Sequence, residues 1–213
     1  MGSKDDRDGT GIVYSAIDVK TWMAKPPSVD EARPGQCPRC RAASRPAGRP
    51  LGLWGHGWRE RQQRGLEAPT AAPVTTEVSL RRYQCRSCRA LIEVVPRGVL
   101  PRRHFSAGTI ALALFLFGLG KRSSDVRLRC NDWRVTAAST KGWVQLNRWI
   151  VAVQNGALFP GIKPLLTIGE MDVPRMAAAR AAMALSARAP VGSWSPGTGA
   201  MEEQVFLGAA QMI

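Results

Sequence analysis

Cys37-Pro38-Arg39-Cys40 and Cys85-Arg86-Ser87-Cys88 are two C-x2-C units in a chain that holds only five cysteines. Two thiols two residues apart on one tight turn can reach a single ion. Two such turns brought together make the closed tetrahedral sulfur site that Zn2+ prefers, with no open position for catalysis. Cys37, Cys40, Cys85 and Cys88 are therefore the expected ligands of one structural zinc ion. The bland alternatives are two unrelated cysteine pairs or redox pairs. Between Cys40 and Cys85 lie 44 residues, more than the usual zinc-finger spacing, so the gap must hold structure of its own.

The gap reads as a hairpin. Residues 41–50 are rich in Arg, Pro, Ala and Gly and form a loop. Leu53, Trp54, His56 and Trp58 stand among glycines and arginines, and a strand is predicted over 51–62. Gly, Pro, Thr and Ala over 65–73 make a turn. Val74, Thr76, Val78, Leu80 and Arg82 then alternate, which predicts a strand over 74–84 running into Cys85. A third apolar run, 91–95, closes at Pro96-Arg97-Gly98. Knuckle, strand, loop, strand, knuckle, strand is the layout of a zinc ribbon, expected over 33–104, in which the metal supplies folding energy that a small core lacks. With four cysteines already paired, His56 and His104 read as polar contacts rather than ligands.

The flanks are helical. Residues 1–32 form a lead-in with a short helix over 12–23, around Val13, Ile17 and Trp22, ended by Pro26-Pro27 and carrying no chemistry. Over 105–153, Ser106 caps a helix over 107–117 and Gly118 and Gly120 end it. Ser123 or Ser124 opens a short second helix to about Cys130, whose thiol packs as a small apolar group. A third helix starts near Ser139 and runs to Val153, with Trp143, Leu146, Trp149, Ile150 and Val153 on its buried face. This is helix-turn-helix grammar, shared by any small three-helix bundle. Residues 154–213 read as a linker, an Ala-rich helix over 173–189 and a last helix over 201–212, a tail that covers the bundle, mediates homodimerisation or stays loosely ordered. The expected fold class is α+β: a small β zinc ribbon, then a helix-turn-helix bundle, then an Ala-rich helical tail.

Charge points to the partner. Thirty Lys and Arg against sixteen Asp and Glu leave a net charge of +14, and such an excess favours a polyanion through phosphate neutralisation and counterion release. From Arg33 to Arg103 fifteen arginines face four acids. Arg59, Arg61 and Arg64 come from the first strand. Arg81, Arg82, Arg86 and Arg89 flank the second knuckle, and Arg102 and Arg103 precede the first long helix. These are candidate phosphate contacts; a solvated basic face with no partner is the plain alternative. Thr140, Lys141 and Gln145, with Arg148, are the candidates to reach base edges from the third helix. A GC-rich genome accounts for part of the Arg bias but not for the net charge. Double-stranded DNA is the expected partner, although charge alone does not separate DNA from RNA.

The first ten residues are polar, with no export signal. The longest apolar run, 110–117, is too short to span a bilayer. A cytoplasmic location follows, where paired cysteines are metal ligands rather than disulfides. No Gly-rich phosphate loop, nucleophile–base pair or open metal site is visible, so no catalytic residue is assigned and an enzyme is not expected.

Cys37-Pro38-Arg39-Cys40, then Gly55-His56-Gly57-Trp58-Arg59-Glu60-Arg61, then Arg81-Arg82-Tyr83-Gln84-Cys85-Arg86-Ser87-Cys88, then Leu100-Pro101-Arg102-Arg103 before a helix together resemble the N-terminal part of certain bacterial insertion-sequence transposases. Those proteins place a four-cysteine zinc ribbon ahead of a helix-turn-helix that binds the ends of the element. The chain also looks like short transposase-like proteins found in multiple copies in some bacterial genomes. The resemblance covers about residues 33–153 and implies a DNA-binding role in transposition. There are two departures. Arg41 follows the first knuckle where such knuckles usually carry Gly. After Val153 only Glu170, Asp172, Glu202 and Glu203 supply acids, with no strands predicted around them. The three-carboxylate catalytic domain of such transposases is thus not expected, and strand transfer is not carried over. A protein-docking zinc ribbon is the second reading, since seven tryptophans leave some for an interface.

Overall fold

In the computed structural model the described residues are 10–133, 142–165, 173–192 and 200–212. They form a mixed α and β fold with a four-stranded sheet. The chain divides into two compact units, one built from 1–62 and 77–97, the other from 63–76 and 98–213.

The first unit holds the sheet apart from the ends of β2 and β3 at 63–65 and 74–76. Strand β1 spans Thr10–Asp18, β2 Leu53–Gly65, β3 Val74–Cys85 and β4 Leu91–Arg97, in the order β1-β4-β3-β2. β3 and β4 are antiparallel, with Arg82 opposite Glu93 and Tyr83 opposite Ile92. β1 joins the far side of β4 in parallel, with Ile12 opposite Glu93 and Tyr14 opposite Val95. The helix expected over 12–23 is thus a strand followed by the six-residue helix α1, Val19–Ala24. The reason is local. Ile12, Val13, Tyr14 and Ile17 are β-branched or aromatic and suit a pleated surface. Asp18 then accepts from the N–H groups of Lys20 and Thr21, both at 3.0 Å, so the helix can begin only there.

One side of β3 is pinned by the segment that follows β1. The Trp22 indole, buried, donates to the Ser79 carbonyl at 2.8 Å. Tyr83 Oη donates to the Val29 carbonyl at 2.7 Å. Arg81 gives two N–H bonds, 3.1 and 3.0 Å, to the Pro27 carbonyl and stacks 3.4 Å from the Trp58 ring centroid.

The second unit is organised on α2, Ala107–Gly118, whose residues from Ala107 to Phe115 are all buried. A helix apolar on every side has to be central. Ser106 caps it, accepting from the Thr109 N–H at 3.2 Å, and Thr109 Oγ1 accepts from the Leu66 N–H at 2.8 Å. Helices α3 (Ser123–Cys130), α4 (Val144–Gln154), α5 (Val173–Ser186) and α6 (Ala200–Ala210) pack on it, and a 3-10 turn spans Pro160–Leu165. Phe105, Trp143 and Trp149 meet edge to face, with centroids 4.9 to 5.8 Å apart. The two helices of the tail belong to this core: Ala178, Ala181, Leu185, Val205 and Ala209 are fully buried. Their alanines let backbones approach closely.

Gly208 shows how closely. A Cβ there would land on the Leu185 carbonyl oxygen, a backbone atom that cannot swing aside. Gly208→Ala is expected to destabilise the protein by about 1–3 kcal/mol, as overpacking does, read as a lower midpoint in urea denaturation.

Candidate functional site

The two knuckles are copies of one turn. In the first, the Cys37 N–H donates to the Ala42 carbonyl and the Arg41 N–H to the Cys37 carbonyl, both at 2.9 Å; in the second, Cys85 N–H to Ala90 and Arg89 N–H to Cys85, both at 3.0 Å. Each turn ends on an arginine in the left-handed region, Arg41 at φ 58° and Arg89 at φ 61°. The place where such knuckles usually carry glycine is therefore left-handed here too, and arginine is held there. Gly52 stitches the turns together. Its N–H donates to the Ser44 carbonyl at 2.8 Å and its carbonyl accepts from the Arg86 N–H at 2.9 Å. A side chain at 52 would collide with the Ala43 carbonyl.

The result is a four-sulfur cluster. Cys37, Cys40, Cys85 and Cys88 place their Sγ atoms within 4.8 Å of one another. The cross-knuckle pairs are 3.7 Å (Cys37–Cys88) and 3.6 Å (Cys40–Cys85) apart. Disulfide sulfurs sit at about 2.05 Å, so these are separate thiols. A tetrahedron with metal–sulfur bonds of about 2.3 Å has edges of about 3.8 Å, which matches the two cross-knuckle pairs. The four cysteines can hold one metal ion, and four thiolates suit a soft, tetrahedral one. Cys37 and Cys85 are buried, Cys88 half-buried and Cys40 exposed, so the site is closed on its inner side. Burial pushes the Cys37 thiol up to about 12. At Cys85 burial acts the same way, but the N–H groups of Cys88 and Ser87 and the neighbouring thiols outweigh it and bring it down to about 7. His56 and His104 are exposed and stand outside the cluster. Cys130 lies fully buried in α3 as an apolar group, and burial pushes its thiol up to about 12.

The arginines named from the sequence fall into different environments. Arg59, Arg61, Arg81, Arg82 and Arg86 belong to the sheet unit. Arg59 is ion-paired to Glu93 at 2.6 Å. Arg61 lies near Glu93 and Tyr14, and burial lowers its pKa. Arg82 sits directly opposite Glu93 on β4, and its Nε is buried without a partner. Arg86 is exposed, over the Trp54 ring at 4.8 Å. Arg81 donates to the Pro27 carbonyl and lies over the Trp58 ring. Arg64, from the same strand, belongs to the helical unit and lies 3.7 Å over the Trp133 ring. That unit also holds exposed Arg102, at φ 57°, half-buried Arg103, and Gln145 and exposed Arg148 on α4. Thr140 and Lys141 lie outside the described residues, as does the expected start of the third helix near Ser139. Among the described residues that helix begins at Val144.

Several residues of this region escaped the sequence reading. The sequence shows Glu93 only as an acid, yet it pairs with Arg59, lies near Arg61 and stands opposite Arg82 across the strands. Tyr14 was assigned to a helix and so could not be placed on a sheet face. Arg39 and Arg41 are exposed on the first knuckle as Arg86 and Arg89 are on the second. The repeat of arginines around both C-x2-C units was the signal available for them.

No protein-family model matches the chain, and no curated protein and no solved structure is similar to it. Among the described residues no helix is long and apolar enough to cross a membrane.

Two outcomes are expected. The protein should bind one equivalent of metal per chain by elemental analysis, more weakly as pH falls below about 7 because protons compete for the thiolates. Cys40→Ala should lose it. Arg81→Ala should lower stability by about 1.5–3 kcal/mol, the worth of a charged donor's bonds to a carbonyl, measured by urea denaturation with metal content unchanged.

Proposed function

We propose that this chain is a DNA-binding protein of transposase-like type. Its four-cysteine centre holds one structural Zn2+, and its role is binding rather than catalysis. The observation that carries the reading is the ring of exposed arginines on the metal centre: Arg39, Arg41, Arg86 and Arg89, at matching places on two knuckles whose turns are bonded alike. One ion fixes both turns, so one ion presents all four guanidiniums. Arginine offers a rigid fork to phosphate oxygens. Arg59, Arg61, Arg82, Arg102 and Arg103 add phosphate contacts from their own units. In this reading the third helix enters the major groove, with Thr140, Lys141, Gln145 and Arg148 toward the bases, as a helix-turn-helix does.

The test is fluorescence anisotropy of the zinc-loaded protein on duplex DNA, titrated with salt and repeated after chelation. Binding should weaken steeply with salt and be lost on chelation. Arg82→Ala with Arg86→Ala should weaken binding to every sequence and reduce the salt slope by about one per contact removed, whereas Lys141→Ala with Gln145→Ala should relax sequence preference. A zinc-loaded protein that ignores DNA at moderate salt would sink this reading and favour a protein-docking ribbon.

A further inference from the structure

β1 puts an aromatic ring where the sequence offered none. Ile12 on β1, Glu93 on β4 and Arg82 on β3 are consecutive cross-strand neighbours, so they share one face of the sheet. Alternation places Tyr14 on that same face, and 43% of the tyrosine is exposed. Arg59 reaches the face through its 2.6 Å ion pair with Glu93, its own side chain 58% exposed. Arg61 is near enough to both Glu93 and Tyr14 to interact with their charges. Arg59 and Arg61 thus lie at one carboxylate with Arg82 opposite it across the strands, and Glu93 itself is only 8% exposed. Past the end of β3, on the second knuckle, Arg86 lies over Trp54, a ring 52% exposed at the start of β2. Trp54 is held in place, since its indole N–H donates to the Leu51 carbonyl at 3.0 Å.

A face with rings and arginines fits a particular kind of polyanion. On duplex DNA the bases are stacked inside, and an exposed ring finds no flat partner. Four strands at about 4.8 Å spacing make a face roughly 14 Å wide, which does not enter a major groove of about 12 Å. An unpaired strand can lay its bases on the rings and its phosphates on the guanidiniums, as strands do on other stacking platforms. We infer that the sheet face bearing Tyr14, Arg59, Arg61 and Arg82, with Trp54 beside the second knuckle, binds a single strand of DNA.

This inference rests on the DNA-binding reading above and extends it to unpaired DNA. In such a protein the face would hold a strand opened beside the duplex site. Glu93 has a positioning role: its ion pair fixes the Arg59 fork, and one carboxylate among several arginines leaves the face positive.

The experiment uses the zinc-loaded full chain and three labelled probes: a 20-nucleotide oligo-dT, the matching oligo-U RNA and a 20-base-pair duplex. The oligo-dT should bind, and Tyr14→Ala should weaken that binding about tenfold, within the range of one stacked base, with the duplex unaffected. Tyr14→Phe, which keeps the ring, should restore it. Photo-cross-linking of an oligo-dT carrying 5-iodo-deoxyuridine should map to Tyr14 or Trp54 in the unaltered protein, so the result does not depend on a variant folding. Duplex binding without oligo-dT binding, or cross-links that fall elsewhere, would overturn the inference and leave the DNA reading standing. Absence of binding to both DNA probes would remove the DNA reading itself. Tighter binding to oligo-U than to oligo-dT would overturn the assignment to DNA.

Discussion

Four sulfur atoms drawn from turns 44 residues apart meet within 4.8 Å of one another, and the first unit is arranged around that convergence. Uncompensated, four thiolates at such range would repel one another and resist burial. A cation at their centre removes both objections at once, which is why such sites act as folding nuclei in domains with little core. The constraint spreads outward through short bonds. Gly52 ties the first turn to the second, and the second turn is itself the connection between β3 and β4. Holding the sulfurs together therefore holds the start of β2, the end of β3 and the start of β4 together as well.

The second unit solves the same problem by other means. It has a helix buried on all sides, an aromatic trio and a set of alanine contacts, and needs no ion. Apolar burial there grows from α2 outward, each neighbouring helix covering part of a surface that is hydrophobic throughout. The tail helices are necessary to this arrangement because α2 has no polar side to leave exposed. The two units thus differ in what organises them: a four-cysteine cluster able to hold an ion in one, apolar packing in the other.

Arginine is used in three ways in this protein, and only its surroundings tell them apart. Arg81 is structural, its donors committed to the Pro27 carbonyl and its plane laid on Trp58. Arg59 is held by a buried acid. Arg39, Arg41, Arg86 and Arg89 stand out from the metal turns. Arg81 and Arg82 are adjacent in sequence yet have opposite fates, because neighbouring residues of a strand face opposite sides.

The four-cysteine cluster, the three strands around it and the helices α2, α3, α5 and α6 are legible in the chain itself. The C-x2-C spacing, the alternation through β3, the cap at Ser106 and the unbroken apolar run of α2 are all local signals, complete within a few residues. What tertiary structure alone decided was long-range. β1 lies where a helix is expected: its residues suit a strand locally, and the free edge of β4 receives it. The sequence leaves the tail's place open between covering the bundle, dimerisation and loose order, because an alanine-rich helix shows how closely it can pack but not against what. The basic face could not be assembled from sequence because the β1–β4 register sets Tyr14 on the side that Glu93 and Arg82 share. Periodicity is a property of one segment. Register and closure are properties of pairs of segments, and no single stretch of the chain contains them.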